Sequence, residues 1–319
     1  MEHKIPVIAV VGPTASGKTG LAVSLAERFN GEVLSFDSMQ LYKTMDVATA
    51  KPTVEEMHGI PHYMVDVVDP ADTYSVARYK EDATRIIQDI HSRGKTVVMV
   101  GGTGLYLDTL MQNIEFLEGG DNGETRARLK EDLERDGVDA LYDRLVAIDP
   151  ETAAKLEKNN TGRVIRALEV YYLTGHTMSY QVEQSRKNPS IYEPLYIGLN
   201  ARDRQVLYDR INLRVDQMVE QGLLEEAKDY LASNIGSTAS QAIGIKEMIP
   251  YLTGEPDLES CKEKLKMDTR RYAKRQLTWF RRNEDVNWFY LDDYEDGNGL
   301  QQAVLDFVQT TDFGKKVTP

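Results

Sequence analysis

Short apolar runs alternate along this chain with stretches whose apolar residues recur every three or four positions, the pattern of strands feeding helices in an α/β protein. Residues 5–11 are almost entirely apolar and read as a buried strand, followed by a helix with Leu21, Leu25 and Phe29 on one face. Residues 32–36 read as a second buried strand, and residues 61–68 as a third that closes at Asp69-Pro70. Between 75 and 93, Val76, Tyr79, Ala83, Ile86, Ile87 and Ile90 keep helical spacing, and Gly94 ends the helix. Another buried strand spans 96–100. Near Gly119-Gly120 the character changes: residues 124–186 are charged, helical in period and poor in strand signals. Residues 194–200 then resume as a strand and 202–222 as a long helix, with a last strand at 287–291 and a last helix at 298–308. The expected fold is α/β, with a parallel-sheet core built from residues 1–117 and 190–319 and an all-helical insertion domain at 118–189.

The junction between the first strand and the first helix carries the most specific chemistry. Gly12-Pro13-Thr14-Ala15-Ser16-Gly17-Lys18-Thr19 has the spacing G-x-x-x-x-G-K-[ST] of a phosphate-binding loop, which makes the expected core P-loop NTPase-like. Glycines at both ends let the backbone turn tightly and present its N–H groups to an anion. The helix that follows adds unpaired donors and a partial positive charge at the same point. Lys18 supplies a full charge to a terminal phosphate, and the Thr19 hydroxyl is the expected Mg²⁺ ligand.

Ligands of open α/β sheets sit outside the carboxyl ends of the strands. Asp37, at the end of the second strand, is therefore placed to face whatever Lys18 holds, although an Asp there also caps turns. Asp66, near the end of the 61–68 run, is a second candidate for holding a metal. The turn Gly101-Gly102-Thr103-Gly104 allows close backbone approach at the same edge, with Thr103 offering a hydroxyl. Arg210 and Arg214, four apart, lie on one helix face, from which either can clamp a phosphoryl group or simply meet solvent.

Composition narrows the setting. Hydrophobic residues make up 41% and charged residues 28%, as in a soluble globular protein; no apolar run is long enough to span a membrane. The N-terminus lacks a secretory pattern, and Cys261 is the only cysteine, so a disulfide framework is excluded and a cytoplasmic setting is expected. A net charge of -13 disfavours general attraction to nucleic acid and confines any polyanion partner to a local basic patch. One such patch is present. Residues 269–282 contain six basic and no acidic residues, with Tyr272, Trp279 and Phe280 interleaved. That combination suits RNA phosphates and stacked bases, and equally an amphipathic helix with aromatics in the core. A small-molecule kinase satisfies the phosphate loop but has no use for this strip. A non-catalytic RNA-binding module satisfies the strip but leaves the loop idle.

Six separated motifs, in order, resemble those of the tRNA dimethylallyltransferases. They are the phosphate loop, Asp37-Ser38-Met39-Gln40-Leu41-Tyr42, residues 101–106, residues 163–170, Gln241-Ala242-Ile243-Gly244-Ile245-Lys246-Glu247, and the basic strip from 269 to 279. Ile245 departs from the Tyr that the family often has there. The resemblance implies transfer of a dimethylallyl group from its diphosphate to N6 of adenosine 37 beside the tRNA anticodon, with Mg²⁺ as cofactor. It places the diphosphate on Gly12, Thr14, Ala15, Ser16, Gly17, Lys18 and Thr19, and makes Asp37, Thr19, Thr103 and Arg214 catalytic, with Asp37 as general base. It assigns tRNA contacts to Asp37, Ser38, Met39, Gln40, Thr103, Arg126, Arg163, Val164, Arg166, Lys246, Arg270, Arg271, Lys274 and Arg275, and a grip on the anticodon stem to the helical insertion. The close rival within the family prenylates free adenine nucleotides. A monomer that docks no membrane is expected.

Overall fold

The computed structural model describes residues 4–116, 123–233, 236, 238–254 and 257–317. They form two compact units, one from residues 1–111 and 191–319, the other from 112–190. Gly119-Gly120 and the expected junction at 117–118 lie outside the described residues.

The larger unit is built on a six-stranded sheet in the order β3-β2-β4-β1-β5-β6, parallel throughout. Its strands are β1 (Ile5–Val11), β2 (Gly31–Ser35), β3 (His62–Tyr63), β4 (Thr96–Val100), β5 (Tyr192–Asn200) and β6 (Asn287–Tyr290). A parallel sheet covered on both faces needs strands apolar on both sides, which is what the runs at 5–11 and 96–100 supply. Val7, Ala9 and Val11 of β1 point to one layer, and Ile8 and Val10 to the other. Helix α1 (Lys18–Arg28) covers the second layer with Leu21 and Leu25, and Phe29 closes it. Helix α2 (Val76–Ser92) covers the first with Tyr79, Ala83, Ile87 and Ile90, as its spacing predicts. Helix α3 (Gly104–Met111) follows β4 directly.

The third strand is shorter than the apolar run at 61–68 predicts. Only His62 and Tyr63 pair with β2, because Met64 and Asp66 take left-handed φ values of 61° and 56° that break the extended chain. A single parallel bridge from Tyr42 to Val68 is what remains of the pairing.

The smaller unit is helical: α4 (Glu124–Ile148), α5 (Pro150–Ala153), α6 (Thr161–Thr174) and α7 (Met178–Lys187). Gly137, at φ 86° and ψ 172°, interrupts α4 and turns it into two helical pieces. Leu129, Leu141, Leu145, Val164, Ile165 and Leu168 form its own core.

The remainder of the larger unit is α8 (Arg204–Glu220), α9 (Leu223–Ala232), α10 (Ile245–Leu252), α11 (Leu258–Phe280), α12 (Gly297–Thr310) and the short α13 (Gly314–Val317). Strand β1 lies between β4 and β5, so the chain turns opposite ways from the two sides of β1 and opens a crevice at the carboxyl edge. Among the described residues, no helix is long and apolar enough to cross a membrane.

Candidate active site

Three loops leave the carboxyl edge side by side: the phosphate loop after β1, residues 36–40 after β2, and Gly101-Gly102-Thr103 after β4. They border a cavity of about 400 Å³, whose far wall is made by α8, α10 and α11.

Glycine is required at the start of the phosphate loop. Gly12 has φ 140°, and a Cβ there would fall 2.4 Å from the Leu199 carbonyl oxygen. Gly17 caps α1 at φ 89°, while Ala15 holds φ 62° with a side chain, a strained conformation of the kind that concentrates at ligand sites. Arg210 pins that turn, its Nε donating to the Ala15 carbonyl at 2.8 Å. Ser16 is buried and donates to the Pro13 carbonyl at 2.8 Å, so its hydroxyl braces the loop.

Lys18 Nζ donates to the same Pro13 carbonyl at 2.6 Å. Burial, reinforced by the Arg214 charge and partly offset by Asp37, pulls its ammonium down to about 7. Arg214 lines the cavity with Lys18 and Thr19; burial lowers its guanidinium too, and Asp37 opposes that shift. The two arginines that sequence leaves equivalent thus divide: Arg210 holds loop backbone, and Arg214 faces the cavity. Two cations held at reduced proton affinity beside one carboxylate mark a site that favours an added anion.

Asp37 sits in the cavity wall with its backbone fixed by Ser35 Oγ, which accepts the Asp37 N–H at 3.2 Å. Its Oδ1 accepts the Met39 N–H at 2.9 Å. Among the described residues, no hydrogen bond is made to Oδ2. Thr103 Oγ1 accepts from the Ser38 N–H at 2.9 Å and donates to Ser38 Oγ at 3.1 Å, tying the second loop to the third. Gln40 is committed to its own loop: it accepts from Ser35 Oγ at 3.1 Å and donates to the Thr49 and Ala50 carbonyls at 3.3 Å. Met39 is a half-buried part of the lining. Asp66 is drawn into an ion pair with Lys51 and does not line the cavity.

Two contributors escape sequence reading. Gln276, buried in the middle of the basic strip, accepts the Thr14 N–H at 2.8 Å and donates to the Gly102 carbonyl at 3.1 Å. A Cβ on Gly102 would lie 2.1 Å from Gln276 Nε2, and one on Gly104 would lie 2.1 Å from Trp279 Cδ1. Gly102 and Gly104 thus let α11 press against this turn, while Gly101 gives room to Phe36. Glu226 of α9 is the second: its carboxylate accepts from the N–H groups of Asp46, Val47 and Ala48 at 2.7, 2.7 and 2.9 Å, shaping the loop that continues into the rim. A Gln in a basic run and a Glu in an acidic helix carry no sequence signal for either role.

The strip itself splits by face. Tyr272 and Arg275 line the cavity, with the guanidinium 5.7 Å from the ring centre and burial raising the phenol. Phe280 is buried, and Trp279 donates to Asp108 at 2.8 Å while Arg282 covers its ring at 4.0 Å. Two of the strip's aromatics, Trp279 and Phe280, are therefore packed against α3 and the core, while Tyr272 faces the cavity. Arg270 donates to Asn212 at 2.8 Å, Arg271 pairs with Asp268 at 3.2 Å, and Lys274 and Arg275 are exposed. Lys246 lies at the rim in the first turn of α10, where buried Glu247 caps the helix by accepting the Gly244 N–H at 2.8 Å.

In the helical unit, Arg126 and Arg166 both bind Glu169, at 2.8 and 2.7 Å, and Arg163 is exposed. Val164 is only 1% exposed, its side chain packed in that unit's core.

The geometry has counterparts among known proteins. A profile described as IPP transferase matches residues 40–283. The chain is 49% identical over 308 residues to the tRNA dimethylallyltransferase of Thermoanaerobacter sp. (strain X514), covering 95% of this chain and 98% of that one. Its likeness to the tRNA dimethylallyltransferase of Halalkalibacterium halodurans is 48% over 293 residues, 92% of this chain and 93% of that protein. Among solved structures, the full-length tRNA isopentenylpyrophosphate transferase of Bacillus halodurans superposes with a TM-score of 0.72 at 44% identity, over 98% and 97% of the two chains. A eukaryotic dimethylallyltransferase solved while acting on tRNA gives 0.79 at 33% identity, over 99% of this chain and 82% of the other.

Proposed function

The chain belongs to the IPP transferase family, and from that premise we propose that it transfers a dimethylallyl group from dimethylallyl diphosphate to N6 of adenosine 37 in tRNA, releasing pyrophosphate. The observation that carries the reading is the meeting of Lys18, Thr19, Arg214 and Asp37 on one cavity of about 400 Å³ at the carboxyl edge of the sheet.

The chemistry follows from those groups. The N6 lone pair attacks C1 of the dimethylallyl chain, and the C1–O bond breaks with its electrons leaving on pyrophosphate. Negative charge grows on that leaving group, and Lys18 and Arg214 of the cavity lining are the cations that would stabilise it. An exocyclic adenine amine is a poor nucleophile until it sheds its proton. Asp37 accepts that proton on Oδ2, while Oδ1 stays bound to the Met39 N–H and keeps the carboxylate oriented. Thr103 holds Ser38 and, through it, the floor on which the flipped base rests.

Mg²⁺ fits this donor set. Among the described residues, no three His, Cys, Asp or Glu side chains cluster for a metal. The Thr19 hydroxyl at the cavity wall is the protein group that would hold it, beside the diphosphate. When bound, the ion neutralises charge on the leaving pyrophosphate. RNA backbone meets Lys246, Arg275, Arg271, Lys274 and Arg270 on the larger unit. Arg163, with the remaining donors of Arg126 and Arg166, serves the anticodon stem on the helical unit.

The deciding experiment incubates the protein with radiolabelled dimethylallyl diphosphate, Mg²⁺ and bulk tRNA. Label in RNA, mapped to adenosine 37, supports the reading. Label entering AMP but not tRNA would replace it with a free-nucleotide prenyltransferase, and label in neither would remove prenyl transfer altogether.

A further inference from the structure

The phosphate loop is held from outside the cavity as well as from within it. Arg210 of α8 is exposed and stands apart from the cavity lining. Its Nε donates to the Ala15 carbonyl at 2.8 Å, and a terminal nitrogen lies 3.7 Å from where a Cβ on Gly17 would stand. The guanidinium therefore covers residues 15–17, the turn that leads into α1. Ala15 is the strained point of that turn, at φ 62°. A residue with a side chain is disfavoured in the left-handed region by about 5- to 30-fold in population. Two contacts hold Ala15 there. Its methyl packs against the apolar cluster of Ala201, Leu207, Ile211 and Ala273, and its carbonyl is taken by Arg210. In a trans peptide the C=O and N–H point opposite ways, so a carbonyl drawn to α8 turns the Ser16 N–H away from that helix.

Backbone N–H groups are what such a loop presents to its anion, so the peptide planes at residues 15–17 decide how well it binds. We propose that Arg210 is a positioning residue: it sets the phosphate loop in its anion-binding form by holding Ala15 in the left-handed conformation, and does not touch the diphosphate. The proposal rests on the diphosphate reading of the loop and extends it to the protein before the ligand arrives. The two arginines of this helix face then act at different stages. Arg214 answers the charge of the leaving group, and Arg210 prepares the loop that receives it. Without Arg210, Ala15 relaxes toward the commoner negative φ, and only the fraction of molecules with the loop still set is competent to bind. The cost falls on diphosphate affinity more than on turnover of the bound complex.

The test compares Arg210→Gln in two backgrounds, wild type and Ala15→Gly. Equilibrium binding of dimethylallyl diphosphate and of inorganic pyrophosphate is measured with Mg²⁺, beside kcat, tRNA affinity and Tm. Glycine enters the left-handed region without a steric penalty, so it should remove the need for Arg210. In the wild-type background both ligands lose about 5- to 30-fold in affinity, kcat at saturation falls by less than that, and tRNA affinity holds. In the Ala15→Gly background the same substitution costs about 2-fold or less, a coupling that only a shared mechanism produces. Equal losses in the two backgrounds overturn the proposal and make Arg210 a direct contact of the anion. A fall in kcat with affinity unchanged also overturns it, because the residue then acts in the transition state. Joint loss of Tm and tRNA affinity reduces Arg210 to support of the fold. If the wild type binds pyrophosphate but not dimethylallyl diphosphate, the prenyl reading falls and the pyrophosphate series still decides Arg210.

Discussion

Gln276 Oε1 accepts the backbone N–H of Thr14 at 2.8 Å, joining the phosphate loop to a helix 262 positions later in the chain. Its amide nitrogen reaches the Gly102 carbonyl at 3.1 Å, so one buried side chain spans two of the three loops that frame the cavity. Removing both bonds leaves a half-buried N–H and a buried carbonyl without partners, at about 1–3 kcal/mol for the carbonyl and less for the N–H. Gln276→Leu is therefore expected to lower Tm and, through loops displaced by as little as an ångström, to cut kcat by about 10²-fold. Gln276→Glu keeps the acceptor but sets a carboxylate against the Gly102 carbonyl and beside the diphosphate, so it should be no better. Steady-state kinetics of both variants at saturating tRNA decide this, and wild-type kcat in Gln276→Leu would reduce the residue to packing.

Glu226 organises a different wall. Three backbone N–H groups converge on its carboxylate, bonds of the charge-assisted class worth about 1.5–3 kcal/mol each at most, and less where water reaches them. Glu226→Gln keeps the shape but loses the charge, and is expected to loosen residues 46–48. Amide exchange there should accelerate at least 10-fold, with tRNA KM raised more than diphosphate KM. Unaltered exchange would show that the loop holds itself.

How legible was all this? The sheet was readable because a buried parallel strand must be apolar on both faces, so the runs at 5–11 and 96–100 could be little else. The 61–68 run misled for a local reason: Met64 and Asp66 adopt left-handed backbone that no periodicity reports. Gly12, Lys18 and Asp37 were legible because a loop's spacing and a strand's end fix their positions. The division of labour between Arg210 and Arg214 was not. They share a helix face, and only the fold separates them, binding Arg210 to Ala15 and placing Arg214 in the cavity lining. Gln276 and Glu226 act through backbone groups remote in sequence, and neither residue type signals such a role.

The pH dependence of diphosphate binding should report Lys18. Its free-site value near 7 lies below the ordinary lysine range, chiefly because burial penalises the ammonium. Between pH 7 and about 10.5 the unfolded chain thus holds more protons at this position than the folded one, so this group's contribution to stability rises with pH over that window. Ligand acts in the opposite sense. A diphosphate beside Lys18 restores the charged form, so binding takes up a proton and weakens above pH 7, by up to about 10-fold per pH unit. Calorimetry at pH 8.5 in two buffers of different ionisation enthalpy measures the uptake. Lys18→Arg stays charged throughout and should flatten the profile; an uptake that survives in this variant would assign the proton to another group.

The last prediction concerns Asp37. Its carboxylate faces the cavity with one oxygen engaged by the Met39 N–H and the other without a partner among the described residues, which is the arrangement a proton acceptor requires. The same position also suits a metal ligand, since Thr19 lines the same wall. The two roles give opposite responses to Mg²⁺. Asp37→Asn keeps size and the bond to Met39 but lacks the basic oxygen, and loss of a general base costs about 10²- to 10⁴-fold in rate. If the role is proton transfer, the single-turnover rate falls by that factor at every Mg²⁺ concentration, while tRNA and diphosphate affinities change little. If the role is metal binding, the rate instead climbs back toward wild type as Mg²⁺ is raised, since excess ion compensates for a weakened site. The bond to Met39 argues for the first outcome: an oxygen already accepting an N–H fixes the carboxylate's plane, which matters for receiving a proton along a lone pair and little for contacting an ion held mainly by diphosphate and water. Recovery of the wild-type rate at high Mg²⁺ is the result that would take proton transfer away from Asp37.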